Sequence, residues 1–155
     1  MRITFNITGT QLDGSANPIP KQRLTLRQSW TPAAQRYERW KRWVRTAFVT
    51  GGRILDAKPG DEARAFFMAA QREAALDRKP FDTKVHPARM TVVFAWRDER
   101  HPDPENAFGA IADALFQDDR HLAGAFEFEH GDKGGARVLL EIGPGTAKRP
   151  LPDWT

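Results

Sequence analysis

The sequence predicts an α+β (mixed α/β) fold, a small sheet with helices packed on it. Period-two alternation near both ends marks strands, as in Ile3, Phe5, Ile7 and in Phe126 and Phe128 set against Glu127 and Glu129. Helical spacing marks the segments between. No internal repeat or dividing linker interrupts the 155 residues, so 1–155 reads as one domain with a real core.

Residues 2–8 form the first expected strand. Gln11 to Lys21 is rich in Gly, Asn, Pro and Ser and reads as a loop. Arg23 to Arg27 is a candidate short strand with Leu24 and Leu26 on one face. Thr31-Pro32 offers a hydroxyl cap and a proline at the first helical position. The helix runs to about Val49 and stops at Gly51-Gly52. Tyr37, Trp40, Val44 and Phe48 make its buried stripe, and Arg36, Arg39, Arg42 and Arg45 lie off it.

A second helix is expected over 61–76, after Pro59-Gly60. Met90 to Trp96 is almost continuously apolar and predicts a central strand. Helix 106–116 follows, with Phe108, Ile111, Ala112 and Leu115 on its apolar face. Strand 123–129, a turn at 131–135 and a returning strand 138–142 complete the domain. Residues 144–155 read as an irregular C-terminal arm.

Composition narrows the chemistry. At 40% hydrophobic and 28% charged, the chain is globular. It has no cysteine, which excludes disulfides, thiolate catalysis and cysteine-held metals. It shows neither a signal pattern nor a membrane-spanning apolar run, so the cytoplasm is the expected location. Residues 1–53 carry 10 Lys+Arg against 2 acids, a balance of +8, and the remainder carries −4 of the total +4. A basic half joined to an acidic half suits an enzyme that binds a polyanion. An unevenly charged solvated surface is the plainer account.

The acids are clustered. Asp103-Pro104-Glu105-Asn106 precedes helix 106–116, and Asp118-Asp119 follows it. Asp103 by itself reads equally well as a helix N-cap. Asp118-Asp119 oppose the helix dipole, so they need a compensating role or a solvated loop. Together the clusters suit a hard divalent cation such as Mg²⁺, with Mn²⁺ as a substitute. The helix between them spans roughly 16 Å. The clusters therefore meet only if the chain turns back or a second subunit supplies one of them. The four histidines (86, 101, 121, 130) show no paired metal spacing.

These motifs, in this order, resemble the RusA-type Holliday-junction resolvases. The family's hallmark is Asp-x-Asp-Asn, a helix containing Asp-Ala-Leu, and a following Asp-Asp. Here it is matched by Asp103-Pro-Glu-Asn106, Asp113-Ala-Leu115 and Asp118-Asp119. Pro18-Ile-Pro20-Lys21-Gln22-Arg23, Thr31-Pro32 with Tyr37, and Lys133-Gly134-Gly135 are similar to further family segments. The resemblance covers about residues 2–143.

It implies a homodimer that cleaves four-way DNA junctions by paired, Mg²⁺-dependent nicks, in recombination and repair. It implies Asp103, Glu105 and Asp119 as catalytic metal ligands, with Asp118 able to substitute. Lys21, Arg23 and Arg27 would contact DNA phosphates, joined by outward arginines such as Arg39 and Arg42. Trp30 and Trp43 either stack on exposed bases or pack in the core or a dimer interface.

Three features depart from the family pattern. Glu105 stands where the family has Asp. Gly109 stands where it has a lysine. A helical insertion occupies about 53–80. The first two motivate an alternative, a non-catalytic or weakly active junction-binding protein of the same fold.

Overall fold

The computed structural model describes residues 1–8, 31–56, 62–96, 104–130 and 134–142. Its elements run β1 (Arg2–Ile7), α1 (Pro32–Gly51), β2 (Arg53–Ile54), α2 (Glu62–Ala75), β3 (Ala88–Trp96), α3 (Pro104–Leu115), β4 (Leu122–His130) and β5 (Gly135–Ile142). The five strands form one mixed sheet in the order β2-β1-β5-β3-β4. No helix of the described residues is long and apolar enough to cross a membrane.

One face of the sheet carries the core. Ile3, Phe5 and Ile7 of β1 line up with Leu140, Val138 and Ala136 of β5. These in turn meet Met90, Val92 and Phe94 of β3. All nine are buried in one cluster with Tyr37, Trp40, Val44 and Phe48 of α1. The stripe expected from the sequence is thus the surface that α1 lays on the sheet. Edge-to-face rings extend it, Phe48 meeting Phe5 at 5.6 Å, Phe67 at 5.9 Å and Phe81 at 5.5 Å. The opposite face carries Arg2, Arg89, Arg137 and Glu141 among partly exposed small side chains.

The helix ends obey their chemistry. Thr31 Oγ1 accepts from the Ala34 N–H at 3.2 Å, with proline in the first turn, so α1 begins where the sequence placed it. α2 ends on Asp77 at φ 60, while the Arg78 N–H reaches back to the Glu73 carbonyl at 3.0 Å. That left-handed stop is usually a glycine. Aspartate tolerates it, and here its carboxylate is held by two arginines.

Three expectations change. Arg45 does not face outward. It is 5% exposed, with Nη2 2.8 Å from Asp77 Oδ1 and Nη1 donating to the Ala114 carbonyl at 3.1 Å. Its long stem lies along the core while its head reaches two polar partners, which helical periodicity alone does not register. Strand 138–142 does not return beside the strand before it. β5 inserts between β1 and β3, antiparallel to both, and β4 pairs parallel with β3. β3, α3 and β4 therefore form a strand–helix–strand crossover, because parallel neighbours cannot be joined by a tight turn. Finally, β2 is a two-residue strand inside the segment expected to be helical. The candidate strand 23–27 and the arm 144–155 lie outside the described residues.

Candidate metal and nucleic-acid site

The acidic clusters are positioned by α3. Its buried side is small and apolar, with Ala107, Ala110, Ile111, Ala114 and Leu115 at 0% exposure, and the helix packs against α1. Glu105 is exposed in its first turn, where the dipole favours an anion. Asn106 is exposed beside it. Gly109 is half-buried one turn later. Asp103 lies outside the described residues.

Beyond Leu115 the chain is fastened by the segment before β3. The Phe81 N–H donates to the Leu115 carbonyl at 3.0 Å, and the Gln117 N–H donates to the Phe81 carbonyl at 2.7 Å. Thr83, fully buried, donates its hydroxyl to the Asp118 carbonyl at 2.6 Å and accepts from the His121 N–H at 3.3 Å. The first of these bonds satisfies the last carbonyl of α3, and together they fix the loop that carries the second cluster.

The two acids of that loop differ. Arg120 donates to Asp118 Oδ2 at 2.9 Å from Nη2 and 3.0 Å from Nε, and to Oδ1 at 3.3 Å from Nε, while Lys84 lies 3.3 Å from Oδ2. The Arg120 side-chain bonds, then its backbone N–H, hold the Asp118 carboxyl well below the usual carboxylate range. Asp119 is exposed, and its carbonyl accepts from the Leu122 N–H at 3.0 Å. Asp118 is thus spent on its neighbours, and Asp119 is the better placed carboxylate for a cation.

Asp113 of the Asp-Ala-Leu segment has a structural task. Tyr37 donates its hydroxyl to Asp113 Oδ2 at 2.7 Å, Lys79 donates to Oδ1 at 2.9 Å, and Lys41 stands 3.4 Å from Oδ2. Lys41 also lies 4.8 Å from the centre of the Tyr37 ring. Burial opposes ionisation of Asp113, but the Tyr37 and Lys79 hydrogen bonds and the two lysine charges outweigh it and hold its pKa at about 2. Burial, reinforced by Asp113, pushes the Tyr37 hydroxyl up. Sequence reasoning gave neither residue a partner. Their shared place in the recurring motifs was the available signal.

The described part of the site does not close within one chain. Glu105 and Asp119 lie at opposite ends of α3, and the eleven residues from 105 to 115 already span about 15 Å. Among the described residues, no group of three or more His, Asp or Glu could hold a metal ion. The donor chemistry of exposed carboxylates suits Mg²⁺. The spacing within a single chain does not.

Of the expected DNA contacts, Arg39 and Arg42 are exposed on α1, and Arg42 pairs with Asp77 at 3.1 Å. Lys21, Arg23 and Arg27 lie outside the described residues, as do Trp30, Lys133 and His101. Trp43 is packed partly against the core. It also lines a cleft of about 380 Å³ with Thr4, Asn6, Thr46, Thr50 and Arg53. That cleft sits by β1 and β2, at the opposite side of the sheet from β4. His121 is exposed, and His86 meets the Phe66 ring edge-on at 5.0 Å. Comparison with protein-family models, with curated proteins and with solved structures finds no match.

Proposed function

We propose that this chain is a metal-dependent endonuclease of the RusA type, selective for four-way DNA junctions and acting as a homodimer. One observation carries the reading. Asp113 and Asp118 are engaged in ion pairs, and Glu105 and Asp119 present solvent-exposed carboxylate side chains at the two ends of the same helix. Asp103, Glu105 and Asp119 are the ligands in this reading. When held there, Mg²⁺ supplies Lewis-acid polarisation of the scissile phosphate. Arg39 and the basic residues 21–27 bind backbone phosphates and so set affinity and its salt dependence. A junction has two-fold symmetry, and a two-fold dimer matches it.

Gly109 favours the second reading, a junction-binding protein without efficient cleavage. It leaves α3 without a cation at the position where the family has one. Lys84 and Arg120, near the other end, are already engaged with Asp118.

A labelled synthetic four-way junction separates the two. Symmetric nicks with Mg²⁺, abolished by chelation and by Asp103→Asn while binding persists, are expected. Tight junction binding without nicks in any divalent metal selects the second reading. No binding to any DNA at low salt removes both.

A further inference from the structure

β1 is only half covered on its outer side. β2 supplies two residues and pairs no further along β1 than Thr4, opposite Arg53. The Leu55 N–H donates to the Arg2 carbonyl at 2.8 Å, so the even-numbered residues of β1 turn their backbone groups towards β2. Asn6 is the next even residue beyond the pairing. The chain that would face it instead closes α1 at Gly51 and Gly52, where the Gly52 N–H donates to the Phe48 carbonyl at 3.0 Å. Among the described residues, the outward N–H and carbonyl of Asn6 have no backbone partner.

That open stretch forms one wall of a cleft of about 380 Å³, and the C-terminal half of α1 forms the other. Trp43, Thr46 and Thr50 line the α1 wall at helical spacing. Trp43 is half-buried, with part of its indole packed on the core and part left to the cleft. Both threonines are exposed. Thr50 Oγ1 donates to the Thr46 carbonyl at 2.9 Å, while the Thr46 hydroxyl has no partner among the described residues. Arg53 completes the lining, exposed and without an ion-pair partner among the described residues. Asp56, the acid nearest to it in the chain, accepts from the Arg2 N–H at 2.9 Å and stands 4.0 Å from the N-terminal ammonium.

These groups specify a ligand with a flat aromatic part, a polar edge and an anion. An extended residue presents its N–H and C=O in one direction, which matches the donor and acceptor that a base carries along its Watson–Crick edge. An aromatic face stacks on any base. A guanidinium takes a phosphate through paired N–H donors. The cleft falls within the roughly 300–1,000 Å³ of sites that hold small organic ligands.

We propose that this cleft binds one unstacked nucleotide, with its base against Trp43 and the Asn6 backbone and its phosphate on Arg53. The chemistry is the same for a free mononucleotide and for a nucleotide displaced from a strand. The cleft lies by β1 and β2, at the opposite edge of the sheet from β4. α3 meets that far edge instead, its Phe108 ring 6.1 Å from the ring of Phe126. The nucleotide site is therefore separate from the carboxylates of α3, and it does not rest on the metal-ligand reading.

Calorimetry at physiological salt tests it with two probes, the deoxynucleoside 5′-monophosphates and a short oligothymidylate. Thr46→Phe fills the cleft from an exposed position, and Arg53→Gln removes its charge. Circular dichroism melts check that both variants fold as the wild type does. Saturable binding of at least one monophosphate is expected. It should weaken by at least about 10-fold in Thr46→Phe, through loss of the stacking space, and by about 5-fold in Arg53→Gln. That result makes a free nucleotide sufficient. Saturation by the oligothymidylate alone, with the same two losses, also supports the cleft and identifies a strand as the source. Binding of neither probe overturns the proposal. So does binding that a folded Thr46→Phe keeps at wild-type strength, because it marks only a general attraction to the basic surface. If Thr46→Phe melts early, Arg53→Gln decides by the same comparison.

Discussion

Asp113→Asn isolates the charge that fastens α3 to α1. The asparagine can still accept from Tyr37, but the ion pairs with Lys79 at 2.9 Å and Lys41 at 3.4 Å are lost. The carboxylate is 23% exposed, and its pKa falls from 3.8 to about 2 on folding. At 1.36 kcal/mol per pKa unit, that shift is worth about 2 kcal/mol. The sign follows from the direction. A pKa lowered in the folded chain stabilises where the group is ionised in both states. The contribution is therefore complete above about pH 5 and is lost as pH falls through 3.8 towards 2. Urea unfolding of wild type and variant, followed from pH 7 to pH 2.5, reads this out. At pH 7 the variant midpoint should fall by about 1 M, for a slope near 2 kcal/mol per M. Below pH 4 the gap between the two curves should narrow, to roughly a third of its pH 7 value by pH 2.5. Equal midpoints at pH 7, or a gap constant across the range, would refute the assignment of Asp113 as an ionised anchor.

Arg45→Met keeps the buried stem but strands the Ala114 carbonyl and leaves half-exposed Asp77 paired with Arg42 alone. A loss of about 2 kcal/mol is expected, read as a melting temperature about 6 °C lower. A drop of under 1 °C would show that the pairing adds nothing. Gly135→Ala places a Cβ 2.3 Å from the Ile7 carbonyl oxygen at φ +114, so about 3 kcal/mol of stability should be lost in the same melt. An unchanged melt would mean that β1 and β5 can separate there at no cost. Asp119→Asn should reduce junction nicking by more than the roughly 100-fold that loss of a supporting group costs. Asp118→Asn, whose side chain is held by Arg120 and Lys84, should cost less than about 10-fold. The reverse ranking would exchange their roles.

Much of the fold was legible in the sequence because it depends on local periodicity. The stripe Tyr37, Trp40, Val44 and Phe48 is buried to 2% or less, and Thr31-Pro32 begins its helix. The order of strands was not legible. The alternation in 123–129 and 138–142 marks two strands but carries no sign of which neighbour each takes. Arg45 and Asp77 illustrate a second limit. Lying 32 residues apart, they meet only because α1 and the end of α2 pack together.

By itself, the sequence determined that this is a cysteine-free mixed α/β chain with carboxylates before and after one amphipathic helix. Residue type and spacing settle those points without tertiary contacts. The tertiary structure decided which carboxylates are already spent. Asp113 is held by Tyr37 and Lys79, and Asp118 by Arg120 and Lys84. It also set β4 parallel to β3 at the sheet edge, so that Glu105 and Asp119 fall at opposite ends of α3. Both results depend on which surfaces pack together, and that choice lies in long-range burial rather than in any local pattern.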